Sequence, residues 1–273
     1  MDEARAQRIE LLADADRPGG FVLLIDRVRQ SYVDLDDPSY LDFEYMRWFA
    51  AVLDGLPPGP LAVTHVGGGA GAVARWIDTA RPDSTHIILE PDAELVDLVR
   101  RRLPFAHGAR VRIRTTPGRA GLKGLREESA DAVILDAFDG ARVPADLTTA
   151  ECLGEVARVL RSDGLFLANV GDGGRLDYSK RLAAGLRKLV GAPLVISEKR
   201  VFAGARFGNV VLAASPGRID VTGLRRRLSA EIFPAQVRAG AALLDWIGGA
   251  LPFTDADSSR SPQPPEAAWR VPR

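Results

Sequence analysis

The sequence predicts an α/β fold: a doubly wound, mostly parallel, seven-stranded Rossmann-like sheet that ends in an antiparallel hairpin, with a short N-terminal β-hairpin in front of it. Two observations carry this prediction. From residue 60 onward, short apolar runs alternate with helical patterns, which is typical of a parallel sheet covered by helices. The last two apolar runs, 194–201 and 207–214, are separated by five residues, whereas a parallel crossover needs about a dozen. These two runs are therefore expected to pair as a hairpin.

The N-terminal part, 1–58, is expected to be a short unit of its own. Its elements are, in order, a short helix or loose end over 1–20, a strand over 21–25, a returning strand over 30–33 and a helix over 41–53. The segment 56–60 contains three prolines and a glycine, so the boundary with the next domain is placed there.

The main domain is expected to cover 59–252. Its seven strands are predicted at 62–66, 86–89, 111–114, 132–135, 165–170, 194–201 and 207–214. Helices are predicted after the first strand as far as Trp76, then at 93–103, 151–160 and 178–189, and finally at 221–228 and 234–247. The tail 253–273 is rich in serine and proline and is expected to be loose.

Composition and charge narrow the function classes. The chain has 36 basic and 36 acidic residues, and this balance argues against a nucleic-acid partner. Cys152 is the single cysteine, which excludes an intramolecular disulfide, and the three histidines lack metal-ligand spacing, so no metal is expected. No apolar run is long enough to span a membrane, and the N-terminus lacks the apolar core of a signal peptide. A cytoplasmic protein without a membrane partner is therefore expected.

A glycine run and a strand-end carboxylate indicate a nucleoside site. Gly67, Gly68 and Gly69 follow the first main-domain strand, where they let the backbone turn sharply and approach a ligand. Glu90 ends the second strand, and a carboxylate there can accept both ribose hydroxyls of an adenosine. The run also fits the dinucleotide pattern GxGxxA, with Ala72 in the last place, so the loop alone leaves NAD binding open.

Two aspartates stand at the end of the fourth strand. Asp136 follows the apolar run directly and Asp139 comes three residues later, a spacing that lets a turn aim both carboxylates into one crevice. Such a pair can attract an amine, and one carboxylate can take a proton as the amine becomes a nucleophile. Their like charges are expected to raise the pKa of one of them. The alternative is that Asp136 merely terminates a strand and that Asp139-Gly140 is merely a turn.

Together these residues resemble the spermidine synthase family of aminopropyltransferases, over roughly residues 21–256. That family has the adenosylmethionine-dependent transferase fold and carries Gln-Ser before its catalytic domain, a GGGDG loop, an acidic end to the second strand and an Asp-x-x-Asp motif. The matching residues here are Gln30-Ser31, Gly67 to Gly71, Glu90, and Asp136 with Asp139.

The resemblance implies transfer of an aminopropyl group from decarboxylated S-adenosylmethionine to a polyamine acceptor, with release of methylthioadenosine. Asp136 would contact the donor and accept the proton, and Asp139 would help to bind the amine. Glu90 would hold the ribose, Gln30 would contact the donor, and Pro117-Gly118 would stand at the family's adenine contact. Relatives in the family commonly pair, so a homodimer is expected.

One departure from the family keeps alternatives open. The aspartate of the GGGDG loop, which engages the amine of the donor's aminopropyl arm, is Ala70 here, and this favours a methyltransferase that uses intact S-adenosylmethionine. A non-catalytic nucleoside-binding homologue is a further alternative. NAD-dependent oxidoreduction is another, although the crevice offers no candidate His, Tyr–Lys or Ser set for it. Tyr32, Tyr40, Tyr45 and Trp246 are candidates for lining an amine channel.

Overall fold

The computed structural model describes residues 8–230 and 234–265. Its first part is a three-stranded antiparallel sheet followed by one helix. These elements are β1 (Ile9–Ala13), β2 (Gly20–Ile25), β3 (Val28–Asp34) and α1 (Glu44–Leu53). The predicted hairpin is therefore confirmed, as β2 and β3.

The expectation of a short helix or loose end over 1–20 was wrong for residues 9–13, which form the strand β1. Apolar side chains alternate in β1, so that Ile9 pairs with Ile25 and Leu11 pairs with Leu23 of β2. Both β1 side chains pack against the hydrophobic core, which favours a third strand over a single helical turn. Residues 1–7 lie outside the described residues.

In the described part of the chain the main sheet has eight strands, one more than the sequence predicts. They are β4 (Ala62–Val66), β5 (Thr85–Glu90), β6 (Arg110–Thr115), β7 (Ala130–Leu135), β8 (Leu160–Asp172), β9 (Ala192–Ser197), β10 (Gly208–Ser215) and β11 (Gln236–Ala239). Their order across the sheet is β11-β9-β10-β8-β7-β4-β5-β6. Strands β4 to β8 pair in parallel, and β10 pairs antiparallel with both β8 and β9. The mostly parallel sheet with a closing antiparallel hairpin is thus confirmed.

The eighth strand arises where the sequence predicts the start of a helix over 234–247. Val237 of β11 instead lies opposite Ile196 of β9, and the helix α9 (Ala241–Ile247) begins after Gly240. Gly240 has a φ of +59°, which helical backbone does not adopt, so it separates the strand from the helix. The strand predicted over 194–201 was wrong at its end: β9 stops at Ser197, and a single helical turn, α7 (Lys199–Phe202), follows in the connection between β9 and β10.

Helices cover both faces of the main sheet, as in other doubly wound folds. The remaining α-helices are α2 (Ala72–Ala80), α3 (Ala93–Arg102), α4 (Gly118–Lys123), α5 (Ala150–Val159), α6 (Asp177–Leu189) and α8 (Val221–Ser229), and a short 3-10 helix covers Ala145–Leu147. Helices α4, α5, α6 and α9 contribute to one hydrophobic cluster, and α1, α2, α3 and α8 to a second. Within 8–230 and 234–265, no helix combines the length and the apolar character needed to cross a bilayer.

The segment 253–265 is held against the main domain, so the expectation of a loose tail was wrong for it. Phe253 is buried, and Asp255 accepts hydrogen bonds from two guanidinium nitrogens of Arg119 at 2.7 and 2.6 Å. Ser261 is fully buried as well. One apolar and one charged anchor therefore fix a segment whose serine and proline content predicts a loose chain. The rest of the tail lies outside the described residues.

Candidate active site

A cavity of about 320 Å³ opens at the carboxyl ends of β4, β5 and β7. All the site residues proposed from the sequence lie in its lining, namely Gln30, Gly67, Gly68, Gly69, Glu90, Pro117, Gly118, Asp136 and Asp139. Ligands of doubly wound sheets bind in the crevice at this edge. The structure therefore brings the separate motifs together, while the role of each residue stays a prediction.

Gly67 holds the loop after β4 against the turn after β7. Its φ is +89°, and a Cβ atom on it would collide with the backbone oxygen of Asp136. The N–H of Asp136 in turn donates to the carbonyl of Val66 at 2.9 Å. Glycine at this position thus lets two walls of the cavity touch each other.

Glu90 is fixed at the end of β5 by two backbone N–H groups. Its Oε2 accepts a hydrogen bond from the N–H of Gly68 at 2.9 Å, and its Oε1 accepts one from the N–H of Asp92 at 3.1 Å. Burial raises the pKa of Glu90 above its ordinary value. Each carboxylate oxygen keeps accepting capacity for a ribose hydroxyl, because a carboxylate offers about four lone-pair sites.

Asp136 is held by two side chains that sequence reasoning did not assign to it. The hydroxyl of Tyr45 donates to its Oδ2 at 2.9 Å, and the side-chain amide of Asn169 donates to its Oδ1 at 3.2 Å. Both bonds favour the ionised form, yet burial outweighs them and raises the pKa of Asp136 to about 6. A carboxylate with this pKa is mostly ionised at neutral pH and accepts a proton more readily than an ordinary aspartate.

Asp139 sits in a different environment, at the exposed mouth of the cavity. Its Oδ2 accepts a hydrogen bond from Nη2 of Arg260 at 2.5 Å, and the same nitrogen donates to the backbone carbonyl of Asp139 at 2.7 Å. The expectation that the like charges of the two aspartates raise a pKa was therefore wrong. Burial raises the pKa of Asp136, whereas Asp139 is directed to a cation.

Gln30, Pro117 and Gly118 reach the cavity from two other sides. The side-chain amide of Gln30 donates to the carbonyl of Gly140 at 3.0 Å, so it contacts the turn that carries Asp139. Pro117 and Gly118 begin helix α4 after β6. A side chain at Gly118 would collide with Val66, so glycine allows α4 to pack closely on β4. Their proposed contacts with the donor stay predictions.

Of the four aromatic residues proposed for an amine channel, Tyr45 lies in the cavity lining. Tyr32 belongs to the N-terminal sheet, where its hydroxyl donates to Asp14 at 2.7 Å and its ring packs against Tyr40. Trp246, on α9, packs against Phe202. The channel proposed for Tyr32, Tyr40 and Trp246 is therefore not borne out, because these rings lie in packing contacts elsewhere.

Two buried histidines lie beneath the glycine loop. The Nε2 atom of His65 on β4 and the Nδ1 atom of His86 on β5 are 3.1 Å apart. Burial lowers the pKa of His65 well below its ordinary value and lowers the pKa of His86 to about 4. Both rings are therefore neutral at neutral pH and bring no positive charge to the cavity.

The charged side chains in the described lining of the cavity are carboxylates. Its carboxylates are those of Glu90, Asp92, Asp136, Asp139 and Asp146, and no lysine or arginine occurs among the described residues of the lining. Such a surface attracts cationic ligands and disfavours anionic ones. Within 8–230 and 234–265, no group of three histidine, cysteine, aspartate or glutamate side chains is placed to hold a metal ion.

Sequence reasoning missed the partners of the two aspartates. Asn169 could have been found, because it lies on β8 next to β7 and faces the same sheet edge as Asp136. Tyr45 was proposed for a channel, but nothing in the sequence pointed to its bond with Asp136, 91 residues away. Arg260 falls in the tail that was expected to be loose.

Known proteins resemble this chain in sequence and in fold. A family model described as a methyltransferase domain matches residues 64–168. Over 205 residues the chain is 29% identical to a polyamine aminopropyltransferase of Neisseria meningitidis serogroup A and 30% identical to that of Chromobacterium violaceum; each match covers 72% of this chain and 74% of the relative. The crystal structure of a probable spermidine synthase from Corynebacterium glutamicum is 31% identical and superposes with a TM-score of 0.86, covering 92% of this chain and 94% of that one. The chain therefore belongs to the polyamine aminopropyltransferase, or spermidine synthase, family.

Proposed function

We propose that this protein transfers an aminopropyl group from decarboxylated S-adenosylmethionine to an amine of the polyamine class. The observation that carries the proposal is the acidic cavity in which Tyr45 and Asn169 orient a buried carboxylate, Asp136, whose pKa is about 6. A cationic substrate suits such a lining, and an amine must lose a proton to become a nucleophile.

The residues present fit the nucleoside half of the donor. Glu90 is anchored to Gly68 and keeps lone pairs for the two ribose hydroxyls. Pro117 and Gly118 border the same cavity and would contact the base. The methionine carboxylate is missing from the decarboxylated donor, and this suits a lining without lysine or arginine among its described residues.

Asp136 would act on the acceptor. Its carboxylate takes the proton from the attacking amine, so that the nitrogen lone pair is free to form the new C–N bond. The sulfonium donor supplies the electrophilic methylene carbon, and its C–S bond breaks as methylthioadenosine leaves. Tyr45 and Asn169 hold both oxygens of Asp136, which keeps the carboxylate in one orientation for this proton transfer.

Methyl transfer from intact S-adenosylmethionine is the second candidate, and Ala70 favours it. The loop carries Ala70 where the family has an aspartate, so it offers no carboxylate at that position for the amine of an aminopropyl arm. Against this candidate, the carboxylate of the intact donor would meet an acidic lining. The two donors differ by one carboxylate, and a binding measurement therefore separates the candidates.

The test compares donors and products. Calorimetry measures binding of methylthioadenosine, decarboxylated S-adenosylmethionine and S-adenosylmethionine, and mass spectrometry follows products from a panel of diamines. We expect preference for the decarboxylated donor, equal amounts of aminopropylated amine and methylthioadenosine, and loss of turnover by at least about 100-fold in Asp136→Asn with nucleoside binding retained. The matched control is Asp97→Asn on the exposed face of α3, and this variant should keep both turnover and nucleoside binding.

Other outcomes would overturn the proposal. A methylated amine formed from intact S-adenosylmethionine would assign methyl transfer instead. Tight nucleoside binding without product from any diamine would indicate a non-catalytic homologue. A homodimer and a cytoplasmic location remain predictions; light scattering of the purified protein tests the first of them.

A further inference from the structure

The segment 253–261, here called the C-terminal strap, runs from helix α5 to the mouth of the cavity. At its start the carbonyl of Phe253 accepts a hydrogen bond from the N–H of Ala150 at 2.8 Å. Farther along, the carboxylate of Asp255 accepts two hydrogen bonds from the guanidinium of Arg119. The strap is therefore fixed before it reaches the cavity, and its far end is held in a defined place.

The far end of the strap binds the turn that carries Asp139. The N–H of Val143 donates to Oγ of Ser261 at 2.8 Å, and the N–H of Ser261 donates back to the carbonyl of Val143 at 3.2 Å. The guanidinium of Arg142 donates through Nε to the carbonyl of Ser261 at 2.5 Å. Asp139 and Arg142 also exchange backbone hydrogen bonds, so the turn 139–142 is held as one unit.

Arg260 adds a charge to this attachment. Its Nη2 donates to both the carboxylate and the backbone carbonyl of Asp139, which is the more exposed of the two aspartates proposed as catalytic. The ammonium group of an amine would bind the same carboxylate by the same kind of charge-assisted hydrogen bond. An acceptor amine therefore meets a carboxylate that already has a cationic partner from this chain.

We propose that Arg260 is a positioning residue that sets the affinity for the acceptor through Asp139. It holds the carboxylate at the cavity mouth, and an incoming ammonium gains this carboxylate only in competition with the guanidinium. The proposal rests on the proposed function, which supplies the amine as ligand. As a consequence, Asp139 binds the acceptor amine more weakly than it would without the guanidinium of Arg260.

The test separates the charge of Arg260 from its role in pinning the turn. Calorimetry measures the dissociation constant of 1,4-diaminobutane in the presence of methylthioadenosine, for the wild type and for Arg260→Gln, Arg260→Lys and Ser261→Ala. We expect Arg260→Gln to bind the diamine about 1.4- to fivefold more tightly at low salt, because exposed ion pairs contribute about 0.2–1 kcal/mol. Arg260→Lys keeps the positive charge, so its dissociation constant for the diamine should equal that of the wild type. Ser261→Ala loses a pinning hydrogen bond but keeps the ion pair, so its affinity should stay near that of the wild type.

A double-mutant cycle shows whether Arg260 acts through Asp139. In an Asp139→Asn background, Arg260→Gln should leave the diamine affinity unchanged, and in the native background the gain should shrink as salt is added, because salt screens exposed charges. A merely structural role would not produce this salt dependence. Unchanged or weaker binding in Arg260→Gln, or an equal gain in the Asp139→Asn background, overturns the inference.

The cycle also distinguishes this inference from the proposed function. If the wild type binds the diamine and forms aminopropylated product while Arg260→Gln binds no more tightly, the inference alone fails. If neither protein binds the diamine, the amine assignment fails and the inference fails with it.

Discussion

Replacing Tyr45 by phenylalanine is expected to move the acid limb of the pH–rate profile to higher pH. Tyr45 donates to the carboxylate of Asp136 at 2.9 Å, and this bond favours the ionised form, so it opposes the burial that raises the pKa of Asp136 to about 6. A hydrogen bond to a charged group contributes about 1.5–3 kcal/mol, and one pKa unit corresponds to about 1.4 kcal/mol. Loss of the hydroxyl should therefore raise the pKa of Asp136 by about one to two units.

The assay is the pH dependence of kcat/KM for the amine acceptor, which reports groups of the free enzyme. Titration of the amine itself is the same for both proteins and cancels in their ratio. The variant should lose several-fold in rate near neutral pH and approach the wild type at about pH 9, where Asp136 is ionised in both. Tyr178→Phe is the matched control, since Tyr178 is equally buried but bonds to Thr148 outside the cavity lining. An acid limb that stays in place, or that moves equally in the control, would refute the assignment of Asp136 as the proton acceptor.

Two further predictions test the nucleoside site and the buried histidines. Glu90→Gln should weaken methylthioadenosine binding in calorimetry by about 10- to 100-fold, because charge-assisted hydrogen bonds to the ribose become neutral ones; unchanged affinity would place the ribose elsewhere. Burial lowers the pKa of His86 to about 4 in the folded state, below its value of about 6.5 in the unfolded chain. Its contribution to stability is therefore complete above about pH 6.5 and is lost as the pH falls from about 6.5 to about 4. Urea titrations measure the difference in unfolding free energy between the wild type and His86→Asn. This difference should become smaller by about 2 kcal/mol between about pH 7.5 and pH 5, and an equal difference at both pH values would contradict the prediction.

Short-range sequence patterns were sufficient to place most of the cavity. Glu90 and Asp136 were found because each directly follows an apolar strand, and parallel strands that end at one edge bring their ends together. The glycine run was found in the same way, since its place after β4 needs no knowledge of the rest of the chain. Periodicity and strand-end position are local properties, so a single sequence contains them.

The parts that failed depend on contacts between distant residues. Arg260 and Asp139 are 121 residues apart. The composition around Arg260 predicts a loose segment, because the residues that anchor this segment are isolated and form no periodic pattern in the sequence. The strand β11 has four residues, too few for periodicity to distinguish it from the first turn of a helix, and its pairing with β9 decides the outcome. Tyr45 was placed in a helix correctly, but its bond to Asp136 follows from how α1 packs on the sheet.

The position of β10 between β8 and β9 has a consequence for how the protein is made. Strand β9 joins the sheet through β10 and not through β8, although it is synthesised before β10. A nascent chain that has left the ribosome as far as residue 207 therefore carries β9 with an unsatisfied backbone edge, and such edges are prone to pair with other chains. Ribosome-bound chains stalled just before and just after β10 should differ sharply in protease resistance, since the second half of the sheet can close only when β10 has emerged.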